Sequence, residues 1–288
     1  MRLGYLGPAG TFSEEAMRAA TVCDDDSAEL VPFPSIHETV MAVQGGDIDR
    51  ALVPIENSLE GGVSATLDAL ALEAREVEIV GETVLAIRNC LIARSEIALE
   101  DIETVVSHPQ PLGQCARFLR TEVPRAALRV ATSTADAVRE VAATDAPWAA
   151  LGPRSAAALY GCRVLRDGVD DEPDNATRFV WLARPGTPPV VGPRAGVPGS
   201  PPAWKTSVLF AGAGDQSPGW LVRCLSEFAF RGVNLTRIES RPRKGRLGHY
   251  LFHVDMDGRA QDAPVADAIR ALGRHCEEVR LLGSYPAA

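Results

Sequence analysis

Residues 51–73 read ALVPIENSLEGGVSATLDALALE, and this stretch decides the fold class. An apolar strand at 51–55 leads into a polar, glycine-containing loop, and a helical pattern over 63–73 follows it. The same unit recurs outward in both directions, with strands at 3–6, 30–33, 104–107, 129–132 and 149–151 that precede helices at 13–20, 36–43, 112–119, 135–142 and 154–159. Strands that alternate with helices predict an α/β fold, with a mostly parallel sheet covered on both faces.

A second domain follows a change in composition. Residues 185–202 read PGTPPVVGPRAGVPGSPP, and proline removes backbone donors while glycine weakens regular elements. The pattern beyond is strand 206–211, helix 219–231, strands 234–240 and 250–256, helix 264–275 and strand 278–282. This βαββαβ order predicts a ferredoxin-like α+β domain. The boundaries are therefore a first domain over 1–184, a linker over 185–204 and a second domain over 205–284.

Composition disfavours several classes of protein. The net charge of −9 argues against nucleic-acid binding, which requires a basic surface. No apolar stretch is long enough to span a membrane, and the N-terminal MRLGYLGPAG lacks the apolar core of a signal peptide, so we expect a cytoplasmic location. The cysteines lie far apart and are expected to be buried thiols rather than metal ligands: Cys23, Cys90, Cys115, Cys162, Cys224 and Cys276.

Polar turns follow several strands of the first domain, and ligands in such sheets bind beyond the carboxyl ends of the strands. The turns are GPAGTFSE at 7–14, ENSLEGG at 56–62, SHPQPLGQC at 107–115, STAD at 133–136 and DNATRF at 174–179. Helix N-termini in such turns suit a carboxylate, and Arg178 offers a bidentate anion clamp. Taken one at a time, each turn is equally consistent with a plain helix cap or a solvated side chain.

Two residues in these turns allow a catalytic interpretation that the sequence leaves open. His108 could be a general acid or could make a structural hydrogen bond, and Cys115 could be a nucleophile or a buried thiol. The chain has no P-loop, no GxGxxG after a strand and no recognisable Ser-His-Asp arrangement. The residues alone therefore predict a cleft for a small polar anion.

Five motifs in order resemble the prephenate dehydratase family: GPAGTFSEEA (7–16), VPIENSLEGGV (53–63), SHPQPLGQC (107–115), LGPRSAAALYG (151–161) and DNATRFVWLAR (174–184). The segment GVNLTRIESRP (232–242) resembles the ACT domain attached to bacterial members. The resemblance implies two lobes like those of type II periplasmic binding proteins, with the site between them. Lobe 1 would comprise about 1–79 and 161–184, and lobe 2 about 80–160.

The resemblance also implies the reaction, a carbon–oxygen lyase step of L-phenylalanine biosynthesis that needs no cofactor and no metal. Prephenate loses its ring carboxylate as carbon dioxide and its 4-hydroxyl as water, giving phenylpyruvate. Thr177 matches the family's essential threonine and is implied to hydrogen-bond or protonate the leaving hydroxyl. The substrate-binding residues implied are Thr11, Asn57, Ser58, Ser107, Gln110, Thr134, Asn175, Arg178 and Phe179.

The ACT-like segment implies that L-phenylalanine is an allosteric effector and that the chain forms a homodimer or homotetramer. The effector-binding residues implied are Pro218, Gly219, Trp220, Leu221, Asn234, Glu239, Ser240, Arg241 and Pro242. Trp220 stands where the family's Gly-Ala-Leu motif has a small residue.

Three alternatives remain open at this stage. The same chemistry on arogenate would give phenylalanine directly. A non-catalytic sensor or solute-binding protein on this scaffold is disfavoured by the intact Thr177-Arg178-Phe179 and by the absence of an export signal. The effector domain of a transcription regulator is disfavoured because no basic helix-turn-helix segment is present.

Overall fold

The computed structural model describes residues 1–20, 28–191, 203–212, 217–244 and 247–288. Cys23 and residues 192–202 of the predicted linker lie outside the described residues. The described strands are β1 (Arg2–Leu6), β2 (Glu29–Phe33), β3 (Arg50–Asn57), β4 (Gly61–Gly62), β5 (Glu78–Ala86), β6 (Cys90–Ala93), β7 (Thr104–Ser107), β8 (Ala127–Val130), β9 (Trp148–Gly152), β10 (Arg163–Arg166), β11 (Ala176–Ala183), β12 (Trp204–Ala211), β13 (Leu235–Pro242), β14 (Tyr250–Asp257) and β15 (Glu278–Pro286). The described helices are α1 (Phe12–Ala19), α2 (Ile36–Gly45), α3 (Ser64–Leu72), α4 (Pro109–Gln114), α5 (Ala116–Glu122), α6 (Thr134–Ala142), α7 (Arg154–Leu159), α8 (Trp220–Ala229) and α9 (Ala263–Leu272).

The first lobe is built on a sheet with strand order β2-β1-β3-β11-β5, and the short β4 pairs with β3. The second lobe has the order β10-β6-β9-β7-β8. One strand in each sheet runs antiparallel to both of its neighbours, β11 in the first and β6 in the second. The expectation of mostly parallel sheets was therefore too simple. Each reversed strand is entered directly from the other lobe, without a covering helix that would return the chain in the parallel sense.

The chain passes between the lobes twice, after β5 and after β10, as a two-lobed α/β architecture requires. The positions of the crossings differ from the expected lobe boundaries at 79/80 and 160/161. Strand β5 pairs along its length with β11 and so belongs to the first lobe, whereas β10 pairs with β6 and belongs to the second. Both crossings lie six or more residues later in the sequence, because β5 runs on to Ala86 and β10 lies wholly beyond residue 160.

Hydroxyl-bearing residues begin three of the helices. The side chains of Thr11, Ser35 and Ser133 each accept a hydrogen bond from the backbone amide three residues on, which satisfies one donor of the first turn. Helix α2 ends at Gly46 with φ +78°, a left-handed conformation that favours glycine. The helix expected at 112–119 is instead two helices, α4 and α5, divided at Cys115.

The C-terminal domain has the predicted βαββαβ order, and its antiparallel sheet runs β13-β14-β12-β15. Helices α8 and α9 cover one face of this sheet around Phe210, Phe228 and Val254. The opposite face packs on the first lobe, where Leu209, Leu251, Leu282 and Tyr285 share one apolar core with residues of α2 and α3. A side chain at Gly283 would overlap the carbonyl oxygen of Ile79 in β5, so glycine permits this close approach.

Candidate active site

A cavity of about 300 Å³ lies between the two lobes. It is lined by the ends of β1 and β3 and the start of β11 from the first lobe, and by α4 and the start of α6 from the second. The polar groups that line it are Thr11, Ser13, Asn57, Asn89, His108, Gln110, Gln114, Thr132, Ser133, Thr134, Asn175 and Thr177. Among these described lining residues no Asp, Glu, Lys or Arg side chain occurs.

Thr177 is held by a chain of amides at the floor of this cavity. The Asn57 Nδ2 donates to Thr177 Oγ1 at 3.0 Å and to Asn175 Oδ1 at 2.8 Å. Asn57 Oδ1 in turn accepts from the backbone amides of Leu59 and Glu60 at 3.0 and 3.1 Å, so its orientation is set on both sides. A hydroxyl that accepts from Asn57 still carries one proton of its own, and Thr177 lines the cavity, so this proton can be donated to a ligand there.

Two helices from opposite lobes begin at the cavity wall. Helix α1 starts after Thr11 in the first lobe, and α6 starts after Ser133 in the second. The first amides of a helix have no intrahelical acceptor and carry the positive end of the helix dipole. The cavity therefore combines a neutral side-chain lining with two built-in sites that favour negative charge.

His108 caps a helix at the cavity wall, and Cys115 is a buried thiol. The Nδ1 of His108 accepts from the Gln110 amide at 3.3 Å and so caps α4. Cys115 is fully buried, and burial raises the pKa of its thiol well above the usual range, which opposes formation of a thiolate nucleophile. Within the described part of the chain, no cluster of His, Cys, Asp or Glu is arranged to hold a metal ion, and no helix is long and apolar enough to cross a bilayer.

The structure brings most of the sequence-predicted substrate residues together. The predicted residues that line the cavity are Thr11, Asn57, Gln110, Thr134, Asn175, Thr177 and Phe179. Ser58 and Ser107 do not line it. The Ser58 hydroxyl accepts from the Ala176 amide at 2.9 Å, and the fully buried Ser107 hydroxyl donates to the Leu151 carbonyl at 2.8 Å.

Arg178 also does not line the cavity, in contrast to its expected role as an anion clamp. Successive side chains of a strand point to opposite faces, so Thr177 and Phe179 face the cavity while Arg178 faces away from it. Its guanidinium donates to three carboxylates, those of Glu56, Glu82 and Asp255. These acceptors already occupy the donors that a substrate anion would need.

Several lining residues escaped the sequence interpretation. Gln114 and Thr132 lie within quoted or neighbouring turns but carried no signal that set them apart from solvated side chains. Asn89 lies in the crossing between β5 and β6, and only the three-dimensional path of the chain brings it to the cavity. Ser13 and Ser133 had been recognised as helix starts, which is the signal that could have placed them here.

A second cavity of about 250 Å³ lies in the C-terminal domain. Three of the predicted effector residues, Gly219, Trp220 and Leu221, line it together with Ser217, Val222, Gly248, Tyr250 and Phe252. Trp220 is buried, donates from Nε1 to the His275 carbonyl at 2.7 Å and packs at 5.9 Å from the Phe252 ring. The tryptophan therefore forms a wall of this cavity.

The other predicted effector residues lie away from that cavity. Arg241 makes a two-pronged ion pair with Asp68 of α3, at 2.8 and 3.0 Å, and the Glu239 carboxylate lies beside Gly62. Both residues thus face the first lobe. The remainder, Pro218, Asn234, Ser240 and Pro242, do not line the cavity either, and Asn234 binds the Asp257 carboxylate at 2.8 Å.

This chain is similar to known proteins over nearly its full length. A family model described as prephenate dehydratase matches residues 3–187. A prephenate dehydratase of Mycobacterium tuberculosis is 41% identical over 292 residues, covering 99% of this chain and 87% of that protein. The crystal structure of prephenate dehydratase from Arthrobacter aurescens in complex with L-Phe gives a TM-score of 0.87 at 39% identity, covering 99% of this chain and 90% of that one. The structure of GqqA, described as a novel type of quorum-quenching acylase, gives 0.82 at 29% identity, covering 100% and 98%.

Proposed function

The chain belongs to the prephenate dehydratase family, and we propose that its interlobe cavity is where prephenate becomes phenylpyruvate. The observation that carries this proposal is the Thr177 hydroxyl, which accepts from Asn57 and keeps its own proton for a ligand in the cavity. That is the group required by a reaction whose leaving group is a hydroxyl.

The reaction balances with one proton. The bond between the ring and its carboxylate breaks, carbon dioxide leaves, and the electron pair enters the ring as it becomes aromatic. The bond from C4 to oxygen breaks at the same time, and the departing hydroxide takes up one proton from solvent to leave as water. A hydrogen bond from Thr177 to this oxygen is stronger when the oxygen carries developing negative charge, so it stabilises the transition state more than the bound substrate.

The neutral lining suits the loss of carbon dioxide. A carboxylate that leaves as a neutral molecule gains least from a fixed cation, which would stabilise the charged ground state. Helix dipoles and amides at Thr11 and Ser133 bind the substrate's carboxylates without a paired cation.

We extend the proposal to regulation and assembly. L-Phenylalanine is proposed to bind at the cavity lined by Gly219, Trp220 and Leu221 and to lower dehydratase activity by feedback. A homologous structure contains L-Phe, which supports this effector. Val222 and Tyr250 at the same cavity are partly exposed apolar side chains, which supports pairing of C-terminal domains in a homodimer or homotetramer. A cytoplasmic location belongs to the same proposal.

The test is a substrate comparison with the purified full chain. Prephenate and arogenate are supplied separately, and phenylpyruvate and phenylalanine are quantified with and without added L-phenylalanine. We expect phenylpyruvate from prephenate, and less of it when L-phenylalanine is present. Exclusive turnover of arogenate would replace prephenate as the substrate, and formation of neither product from either compound would reject the proposal.

A further inference from the structure

Two neighbouring residue pairs of strands β3 and β11 face different parts of the molecule. Thr177 pairs in register with Asn57, and Arg178 pairs with Glu56. The first pair faces the cavity and the second faces the C-terminal domain, because neighbouring side chains of a strand alternate between faces. A displacement of Arg178 would therefore move the backbone of the adjacent residue, Thr177, and with it the Thr177 hydroxyl.

Arg178 joins the first lobe to the C-terminal sheet. Its side chain is only 10% exposed. It binds Glu56 of β3 at 2.9 Å and Glu82 of β5 at 3.0 Å, both within the first lobe. The shortest contact, 2.6 Å, is to Asp255 of β14 in the C-terminal domain. A planar guanidinium that holds three carboxylates at once has one allowed position.

Asp255 is itself held by its own sheet. Arg237 donates to it at 2.9 Å and Ser207 at 2.6 Å, and the Ser207 hydroxyl also meets Tyr285 at 2.8 Å. Burial alone would raise the pKa of Asp255, but Arg237 and Arg178 hold it well below the usual range, so the carboxylate is charged. Each of the four strands of the C-terminal sheet therefore contributes a residue that fixes this contact.

The pairing of β3 with β11 is irregular beside Thr177, so a regular strand ladder does not by itself fix the direction of this side chain. Arg178 pairs with Glu56, but Phe179 pairs with Pro54, so β3 has an extra residue at this point. Pro54 has no backbone N–H to donate. Bulges of this kind re-aim neighbouring side chains and are frequent beside active sites.

We propose that Asp255 and Arg178 form a positioning link through which the C-terminal sheet sets the orientation of Thr177. The inference rests on the proposed function of Thr177 and adds a route between the two domains. Arg178 touches no reacting atom and acts through the strand. When the C-terminal domain shifts against the first lobe, the Asp255 contact is strained and the Thr177 hydroxyl is misdirected.

The test compares two isosteric variants of the full chain. Asp255→Asn weakens the contact to Arg178, whereas Asp68→Asn weakens a different interdomain ion pair, with Arg241, which joins α3 to β13. For Asp255→Asn we expect kcat on prephenate to fall by about 10-fold or more with KM changed less than about 3-fold, since small misplacements cost turnover rather than binding. Asp68→Asn should stay within about 2-fold of wild type in kcat.

Two readouts separate positioning from general destabilisation. In a Thr177→Val background, Asp255→Asn should lower kcat no further, because the group it positions is gone. Amide hydrogen exchange at residues 55–58 and 176–179 should rise in Asp255→Asn and not in Asp68→Asn, and this readout does not depend on activity. If Asp255→Asn does not fold, Arg178→Lys takes its place, since it keeps the charge and loses the planar fork.

Three results would overturn the link: a folded Asp255→Asn or Arg178→Lys with wild-type kcat, equal falls in Asp255→Asn and Asp68→Asn, or an undiminished Asp255→Asn effect without the Thr177 hydroxyl. A wild-type chain inactive on prephenate would reject the proposed function instead. The link would then be judged by the exchange comparison alone, where equal exchange in both variants would reject it.

Discussion

His253 makes the seam between the C-terminal sheet and the first lobe sensitive to pH. Its side chain is 1% exposed, and neither ring nitrogen has a hydrogen-bond partner among the described residues. Burial lowers the pKa of this imidazole from 6.5 to about 3, with a further lowering by Arg237 and Arg280 that outweighs the opposite effects of Asp255 and Asp68. The histidine is therefore neutral in the folded protein.

The sign and size of the effect follow from linkage. The unfolded chain binds a proton on this residue near pH 6.5 and the folded chain near pH 3, so between these values unfolding takes up a proton and stability falls as the pH falls. From pH 7 to pH 5 the unfolded imidazole gains about 2 kcal/mol from protonation, while the folded one gains almost nothing. Any transition that exposes His253, including separation of the two domains, is favoured by that amount.

The assay is chemical denaturation of wild type and His253→Leu at pH 7, 6 and 5. The variant removes two unpartnered ring nitrogens and the titration together. Because the other histidines are common to both proteins, the difference between the two unfolding free energies isolates His253. We expect this difference to shift by about 2 kcal/mol in favour of the variant between pH 7 and pH 5. Stability curves that run parallel across this range would refute the reasoning.

Three further substitutions test the placement of residues around the two cavities. Ser107→Ala removes the hydrogen bond to the Leu151 carbonyl, so denaturation should show a free energy of unfolding lower by about 1 kcal/mol. Steady-state kinetics should show kcat/KM within about 2-fold of wild type, whereas a large rise in KM would place Ser107 in the substrate site. Asn57→Asp replaces the donor to Thr177 with a carboxylate that also repels the substrate, so kcat should fall and KM rise by about 10-fold each, and unchanged kinetics would contradict the amide chain. Trp220→Ala should lower the unfolding free energy by about 3–5 kcal/mol because a buried indole that packs on Phe252 is lost, whereas a small loss would mean that the cavity wall is formed differently.

Periodicity in the sequence was sufficient to predict the kind of fold. The alternation of strands and helices, the βαββαβ order after the linker and the helix start at Ser133 all depend on local signals, and the structure confirms them. The direction of each strand was harder to predict from the sequence. The reversed β6 and β11 depend on where the chain crosses between lobes, which is a property of the whole path rather than of any one segment.

The candidate site was predictable where side chains follow a simple rule and not where they find local partners. Alternation along β11 could have separated Arg178 from Thr177 and Phe179, because adjacent residues of one strand cannot face the same cavity. The acceptors of Arg178 could not have been predicted, since Asp255 lies 77 positions away in another domain. Ser58 and Ser107 were expected in the site but lie outside the cavity for a different reason. Their hydroxyls bond to backbone groups, which residue type alone does not reveal.

The central claim is that the Thr177 hydroxyl assists departure of the substrate's hydroxyl, and turnover of prephenate by Thr177→Val and Thr177→Ser tests it most directly. Valine keeps the shape of threonine without the donor, and serine keeps the donor. With circular dichroism showing both variants folded, we predict that kcat falls by about 10²–10⁴-fold for valine and by less than about 10-fold for serine. A folded Thr177→Val enzyme with near wild-type kcat would contradict the account.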